Sequence, residues 1–180
     1  MTRKLGDLRL KELAQNLRMI LLDVDGVFTD GGIILVGEDA EAKRFDAQDG
    51  MGIKLARAVG IRVGIISART SSVVERRAKE LGIDDVYQSA ERKTDILDIL
   101  LKKHKIVASQ ASFIGDDVQD IPIMERVGIP IAVNNARNPV KDCSVYVTRA
   151  HGGYGAIREA VEWLLELRGE REKAYKVFTD

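Results

Sequence analysis

Short apolar runs alternate with amphipathic segments of about ten residues along most of this chain, and no other feature restricts its fold as much. "MILLD" reads as a fully buried strand, and "IRVGIIS", "DDVYQ", "ASFIG", "IPIAV" and "SVYVT" follow it as further strands. Helical patterns lie between them in "GIKLARAVG", "SVVERRAKELG", "KTDILDILLKKH" and "DIPIMERVG", and "YGAIREAVEWLLELR" gives the last helix. Gly60 and Gly82 stand where two of these helices should stop. This order predicts an α/β fold with a mainly parallel sheet flanked by helices. Leu5, Leu8, Leu10, Leu13 and Leu17 add a covering helix at the start. "IILV" and "EAKRF", separated by the polar "GEDA", predict a small β-hairpin over about residues 32–46. The tail, about residues 169–180, is polar and patternless. No repeat or Pro/Gly linker divides residues 1–180, so a single domain is expected.

Composition removes several function classes. The 180 residues are 45% hydrophobic and 31% charged, enough for a sizeable core. Lys plus Arg and Asp plus Glu both total 28, so no net field attracts nucleic acid or a membrane surface. Cys143 stands alone, which excludes an internal disulfide framework. No apolar stretch approaches the roughly 20 residues of a membrane span. The first residues lack the apolar region and cleavage site of a signal peptide. A cytoplasmic location is expected.

In a parallel sheet, ligands bind at the carboxyl ends of the strands. Reading off those ends collects Asp23, Asp25 and Asp30 after the first strand and Ser67, Ala68 and Arg69 after the second. Lys93 follows the third, and Asp116, Asp117 and Asp120 follow the fourth. Asp23 and Asp25 are two residues apart, so in an extended segment they lean to the same side. With Asp116 beside them, three carboxylates would raise one another's pKa values unless a cation intervened. Oxygen ligands with room for water suit Mg²⁺, whereas His104 and His151, the only histidines, fall elsewhere in the pattern. Lys93, the Ser67 hydroxyl and backbone N–H groups from Val24 to Gly26 are donors for a phosphoryl group. One carboxylate there can attack phosphorus, and a second two residues on can protonate the leaving oxygen and then deprotonate water.

"DVDGVFTDG" resembles the first motif of the haloacid dehalogenase-like phosphatases, with Ser67, Lys93 and "IGDDVQD" matching the second, third and fourth in order. The resemblance implies a Rossmann-like fold, Asp23 as nucleophile and Asp25 as general acid/base. There is no room for a large cap domain, so only the hairpin separates the first motif from the next helix. "RFDAQDGMGIKLA", "IISART", "VYQ" and "HGGYGAIREAVEWLL" are similar, over nearly the whole chain, to the capless bacterial 3-deoxy-D-manno-octulosonate 8-phosphate phosphatases. That family implies Mg²⁺ on Asp23, the Asp25 backbone carbonyl and Asp116. It implies substrate contacts from Asp25, the loop Asp46, Ala47, Gln48, Asp49 and Gly50, and from Lys54, Arg69, Arg77 and Lys93. It also implies a homotetramer built through the hairpins, with neighbouring subunits completing each site. The chain departs from the family at Ala68 (usually Gly), Asp46 (often Asn), Lys54 (often Arg) and in "QSAERK", which lacks a common glycine. Asp46 and Lys54 bear on substrate choice, and nine-carbon sugar-acid 9-phosphates remain the alternative substrate.

Other residues have simpler structural roles as their expectation. Asp117 and Asp120 suit a helix cap and first-turn acid, or orientation of Lys93 or a metal-bound water. Thr29 and Asp30 should organise their loop. Arg69 and Arg77 can equally be surface charge. His104 is expected in solvent, His151 in a turn, Cys143 as buried filler, and Trp163 on a core face with Ile157, Ala160 and Leu164. A receiver domain fits poorly, because here the acidic pair ends the first strand and the lysine precedes "GDD". A phosphomutase normally carries a substantial cap. A non-catalytic module partnering a cytidylyltransferase would often have lost the nucleophile or the lysine, and both are present.

Overall fold

The computed structural model describes residues 5–38 and 40–179. Strand β1 (Met19–Leu22) is wholly buried, as a run of four apolar residues at the centre of a parallel sheet should be. Beside it run β4 (Arg62–Ile66) and β6 (Ala111–Gly115), with Leu22 level with Ile65 on one side and Ile114 on the other. Strands β5 (Asp85–Tyr87), β7 (Ile129–Ala132) and β8 (Tyr146–Val147) complete the order β5-β4-β1-β6-β7-β8, every pairing parallel. The chain builds outward from β1 in one direction and then restarts on its other side. The strand order therefore reverses at β1, and the crevice at such a point is where ligands bind.

The helices fall into two packed groups. Helices α1 (Asp7–Gln15), α2 (Ala47–Ala58), α7 (Ala156–Arg168) and α8 (Arg171–Thr179) pack among themselves. Helices α4 (Lys93–His104), α5 (Ile121–Arg126) and α6 (Asn138–Cys143) form a second group. Helix α3 (Ser72–Glu80) joins β4 to β5. Ile157, Ala160 and Leu164 enter the core as expected, while the Trp163 ring stacks on Tyr146 with centroids 4.2 Å apart.

Several expectations need correction. The hairpin is present as β2 (Ile34–Val36) and β3 (Ala40–Ala42), shorter than expected, and Asp39 of its "GEDA" tip lies outside the described residues. Phe45, at the end of the expected second strand, instead bridges to Thr29 and packs on Phe28. The 46–50 loop is the N-cap and first turn of α2, because the Asp46 carboxylate accepts the N–H groups of Gln48 at 2.6 Å and Asp49 at 3.4 Å. Most of the tail forms α8, which buries Ala174 and sets the Tyr175 hydroxyl on Glu162. A single buried residue, Ala174, among the nine of α8 makes too weak a pattern to read. Helix α6 was missed because "NPVKDC" is short, with proline at its start. His104 is mostly buried and its Nε2 lies 2.7 Å from Asp85 Oδ2. Cys143 is half-buried at the end of α6 and donates to the Val140 carbonyl.

Candidate active site

Asp23 leaves β1 with its backbone N–H still donating to the Ile114 carbonyl, so the sheet itself fixes where the side chain starts. Asp23 is 3% exposed. Lys93, the first residue of α4, reaches it: Nζ lies 2.6 Å from Asp23 Oδ1 and 2.6 Å from Asp120 Oδ1. The other Asp120 oxygen accepts the N–H groups of Asp116 at 2.9 Å and Asp117 at 3.3 Å. Asp120 is therefore an anchor, fully bonded, that orients both Lys93 and the turn carrying Asp116. Asp117 caps that turn, accepting from Val118 N–H at 2.7 Å. Of the roles open to these two acids, Asp117 takes the cap and Asp120 the orientation of Lys93.

The remaining carboxylates are short of partners. Asp116 Oδ1 is buried and unpartnered. Burial, then Asp23 and then Asp120, push the Asp116 carboxyl up to about 8. Burial and Asp120 push Asp23 up to about 6, against the pull of Lys93. Burial opposes the Lys93 ammonium, yet Asp23 and Asp120 together raise it above the ordinary lysine value. Ligand oxygens of Asp23, Asp116 and Asp120 lie within 4.8 Å of one another. An all-oxygen cluster with excess negative charge and a buried unpartnered oxygen fits a hard divalent cation of the Mg²⁺ type.

Backbone shape brings Asp116 this close. Gly26 holds φ at 90°, and a Cβ there would lie 2.2 Å from Asp116 Oδ2. The turn after β1 is then clamped from far along the sequence. Asn135 donates to the Gly26 carbonyl at 2.9 Å and accepts Gly152 N–H at 2.7 Å. Gly152 approaches so closely that a Cβ on it would sit 1.8 Å from the Gly26 oxygen. Arg44 donates to the Gly153 carbonyl at 2.5 Å and lies over the Tyr154 ring. Thr29 and Asp30 organise their loop as expected: Thr29 accepts Gly31 N–H and Asp30 accepts Gly32 N–H. His151 is exposed, next to this glycine-rich turn.

Asp25 points elsewhere. Its Oδ1 lies 2.5 Å from Lys43 Nζ and its Oδ2 lies 3.5 Å from Arg69 Nε, so its side chain stands outside the acidic cluster. Ser67, buried at the end of β4, accepts the N–H of Arg69 at 3.1 Å and keeps its hydroxyl proton for another acceptor.

The structure does not bring every implied residue here. Asp49 is buried, accepting the N–H groups of Gly155 at 3.2 Å and Arg158 at 2.9 Å, so it secures the start of α7. Burial pushes its carboxyl up to about 6. Gly50 is covered by the Arg77 guanidinium, and Arg77 pairs with Glu80 at 3.2 Å. Asp46 is an N-cap, Ala47 and Gln48 are exposed on the first turn of α2, and Lys54 is exposed on the same helix. Among the described residues, no hydrogen bond or ion pair ties these seven to the cluster around Asp23. Conversely, Lys43, Glu41, Asn135 and Arg44 support the site, and spacing alone gave no signal for them.

A family model for haloacid dehalogenase-like hydrolases matches residues 85–160. The 3-deoxy-D-manno-octulosonate 8-phosphate phosphatase of Escherichia coli strain K12 is 40% identical over 161 residues, 89% of this chain and 86% of its own. This chain belongs to that phosphatase family. The family's enzyme from Yersinia pestis is 37% identical over the same shares of the two chains. Among solved structures, the family's enzyme from Moraxella catarrhalis, in complex with magnesium, phosphate and KDO, superposes with a TM-score of 0.90 at 36% identity. That match covers 94% of this chain and 97% of the other. A probable phosphatase from Pseudomonas syringae superposes at 0.91 with 39% identity over 96% and 98%. The haloacid dehalogenase-like fold and the small hairpin in place of a cap follow from these likenesses and from the strand order.

Proposed function

We propose that this chain is a Mg²⁺-dependent phosphatase that hydrolyses 3-deoxy-D-manno-octulosonate 8-phosphate to the free sugar acid and phosphate. The observation that carries this is the buried, unpartnered oxygen of Asp116 close to Asp23 and its oriented lysine, at the strand ends where a metal-held phosphate would sit. Asp23, Asp116 and the Asp25 backbone carbonyl would hold the Mg²⁺, which when bound neutralises charge on the phosphoryl oxygens. Lys93 and the Ser67 hydroxyl donate to those oxygens and keep the phosphorus in line with Asp23. An Asp23 oxygen bonds to phosphorus as the bond to the sugar oxygen breaks, and Asp25 gives that oxygen its proton. In the second half Asp25 takes a proton from water, whose oxygen bonds to phosphorus while the aspartyl-phosphate bond breaks. Arg69, with its side chain 45% exposed, has donors left for the sugar's carboxylate.

The whole chain acts as one catalytic unit in this reading, in the cytoplasm, in the synthesis of a lipopolysaccharide sugar. Its assembly is a homotetramer. Ile33, Ile34, Leu35 and Val36 form one apolar run on the hairpin, each at least 52% exposed, and a run of this kind calls for a partner. The departure at Asp46 leaves the cap of α2 intact, because Asp and Asn cap a helix about equally well. The test is phosphate release with Mg²⁺ from 3-deoxy-D-manno-octulosonate 8-phosphate and from a nine-carbon sugar-acid 9-phosphate. Asp23→Asn serves as control, and its turnover should fall by about 10⁴-fold or more with the fold intact. Preference for the nine-carbon ester would reassign the substrate, and release by Asp23→Asn would refute the nucleophile.

A further inference from the structure

At the base of the hairpin, Asp25, Lys43, Glu41 and Arg69 close a ring of alternating charge. Lys43 Nζ lies 2.5 Å from Asp25 Oδ1 and 3.8 Å from Glu41 Oε2. Arg69 completes the ring, with Nε 3.5 Å from Asp25 Oδ2 and Nη2 3.6 Å from Glu41 Oε2. The two cations differ in kind. The Arg69 side chain is 45% exposed and can turn outward to a ligand, whereas that of Lys43 is 1% exposed and already committed to two carboxylates. Lys43 is thus placed to hold something belonging to the protein, and what it holds is one oxygen of Asp25. Oδ2 keeps only the longer contact to Arg69, so the two oxygens of this carboxylate are not equivalent.

We propose that Lys43 is a positioning residue for the general acid/base: it pins Asp25 by Oδ1, so that Oδ2 is the oxygen that exchanges the proton, and Glu41 fixes the lysine in turn. The inference rests on the reading of Asp25 given above. In the first half-reaction the proton passes from Oδ2 to the sugar oxygen as its bond to phosphorus breaks. In the second, a water proton returns to Oδ2 as the water oxygen bonds to phosphorus. Because Lys43 follows β3, the seating of the hairpin, held by the Thr29–Phe45 bridge and the Phe28–Phe45 contact, sets the direction of the acid. Two residues of an element that looks purely structural would then determine a step of the chemistry.

The test uses the unequal need of two monoesters for a general acid. The sugar alkoxide must be protonated as it leaves, and nitrophenolate need not be. We would measure kcat/KM, with saturating Mg²⁺, for 3-deoxy-D-manno-octulosonate 8-phosphate and for p-nitrophenyl phosphate in the unaltered protein, Lys43→Met, Glu41→Gln and Asp25→Asn. Lys43→Met should lose roughly 10–100-fold on the sugar ester and at least about tenfold less on the aryl ester. Glu41→Gln should show the same bias at smaller size. If Asp25→Asn shows the bias and Lys43→Met loses equally on both esters, the inference is overturned and the acid/base reading stands. If Asp25→Asn itself lacks the bias, that reading falls and the inference with it. Should Lys43→Met not fold, Glu41→Gln decides, and equal losses there overturn the proposal.

Discussion

Asp85 and Asp116 are acids at opposite ends of one sheet, and their surroundings differ completely. Asp85, at the amino end of β5, is buried, and each of its oxygens has a cationic or imidazole partner: Lys103 Nζ at 2.7 Å and His104 Nε2 at 2.7 Å. Asp116, just beyond the carboxyl end of β6, has a buried oxygen with no partner and three acids, Asp23, Asp120 and Asp117, for neighbours. A chain that can match one carboxylate so fully can match another. Buried polar groups left short within a single fold therefore mark the place where something outside the chain completes the bonding. Asp49 lies between these extremes, with two backbone N–H partners and no cation.

The contrast is broken most severely at Lys93. In chelator, Lys93→Met leaves Asp23 and Asp120 buried without their cation, and unfolding in urea should show a loss of about 3–5 kcal/mol, together with loss of phosphate release. Mg²⁺ sharpens the contrast next. At a hundredfold excess over its dissociation constant it should raise the unfolding free energy by about 2.7 kcal/mol, and Asp116→Asn should abolish that gain while Asp85→Asn keeps it.

Asp49 gives a smaller, pH-dependent effect. Its carboxyl titrates near 6 in the folded chain against an ordinary 3.8, so the folded state binds the proton more tightly. The stabilisation is full below pH 3.8 and is lost as pH rises through 6, an effect of roughly 2–3 kcal/mol. Urea unfolding at pH 4.5 and 7.5 should therefore differ less for Asp49→Asn than for the unaltered protein, and an identical pH dependence would refute the assignment. The smallest change is expected at the satisfied end. Asp85→Ala should cost about 1–3 kcal/mol by stranding His104, and phosphate release per folded molecule should not change.

What the sequence makes legible follows the reach of each signal. The strands and most helices are visible because apolar periodicity is local, and Asp23, Ser67, Lys93 and Asp116 are visible because each ends or follows a strand. Asp49 reads as a ligand in "RFDAQDG" and turns inward, since nothing local announces that α7 starts above it. Arg77 likewise settles over Gly50, a neighbour known only after α2 and α3 pack. Lys43 and Asn135 escape because their partners, Asp25 and Gly26, lie 18 and 109 residues away. The tail reads as patternless because α8 buries little beyond Ala174.

The close approach of Gly26 and Gly152 has a consequence for genetics. A screen for loss of activity in folded protein should return substitutions at these two glycines alongside those at Asp23 and Lys93, although neither glycine carries a functional group. Their alleles should behave like active-site alleles, because a single added carbon at either position pushes against the backbone or carboxylate that the chemistry stands on.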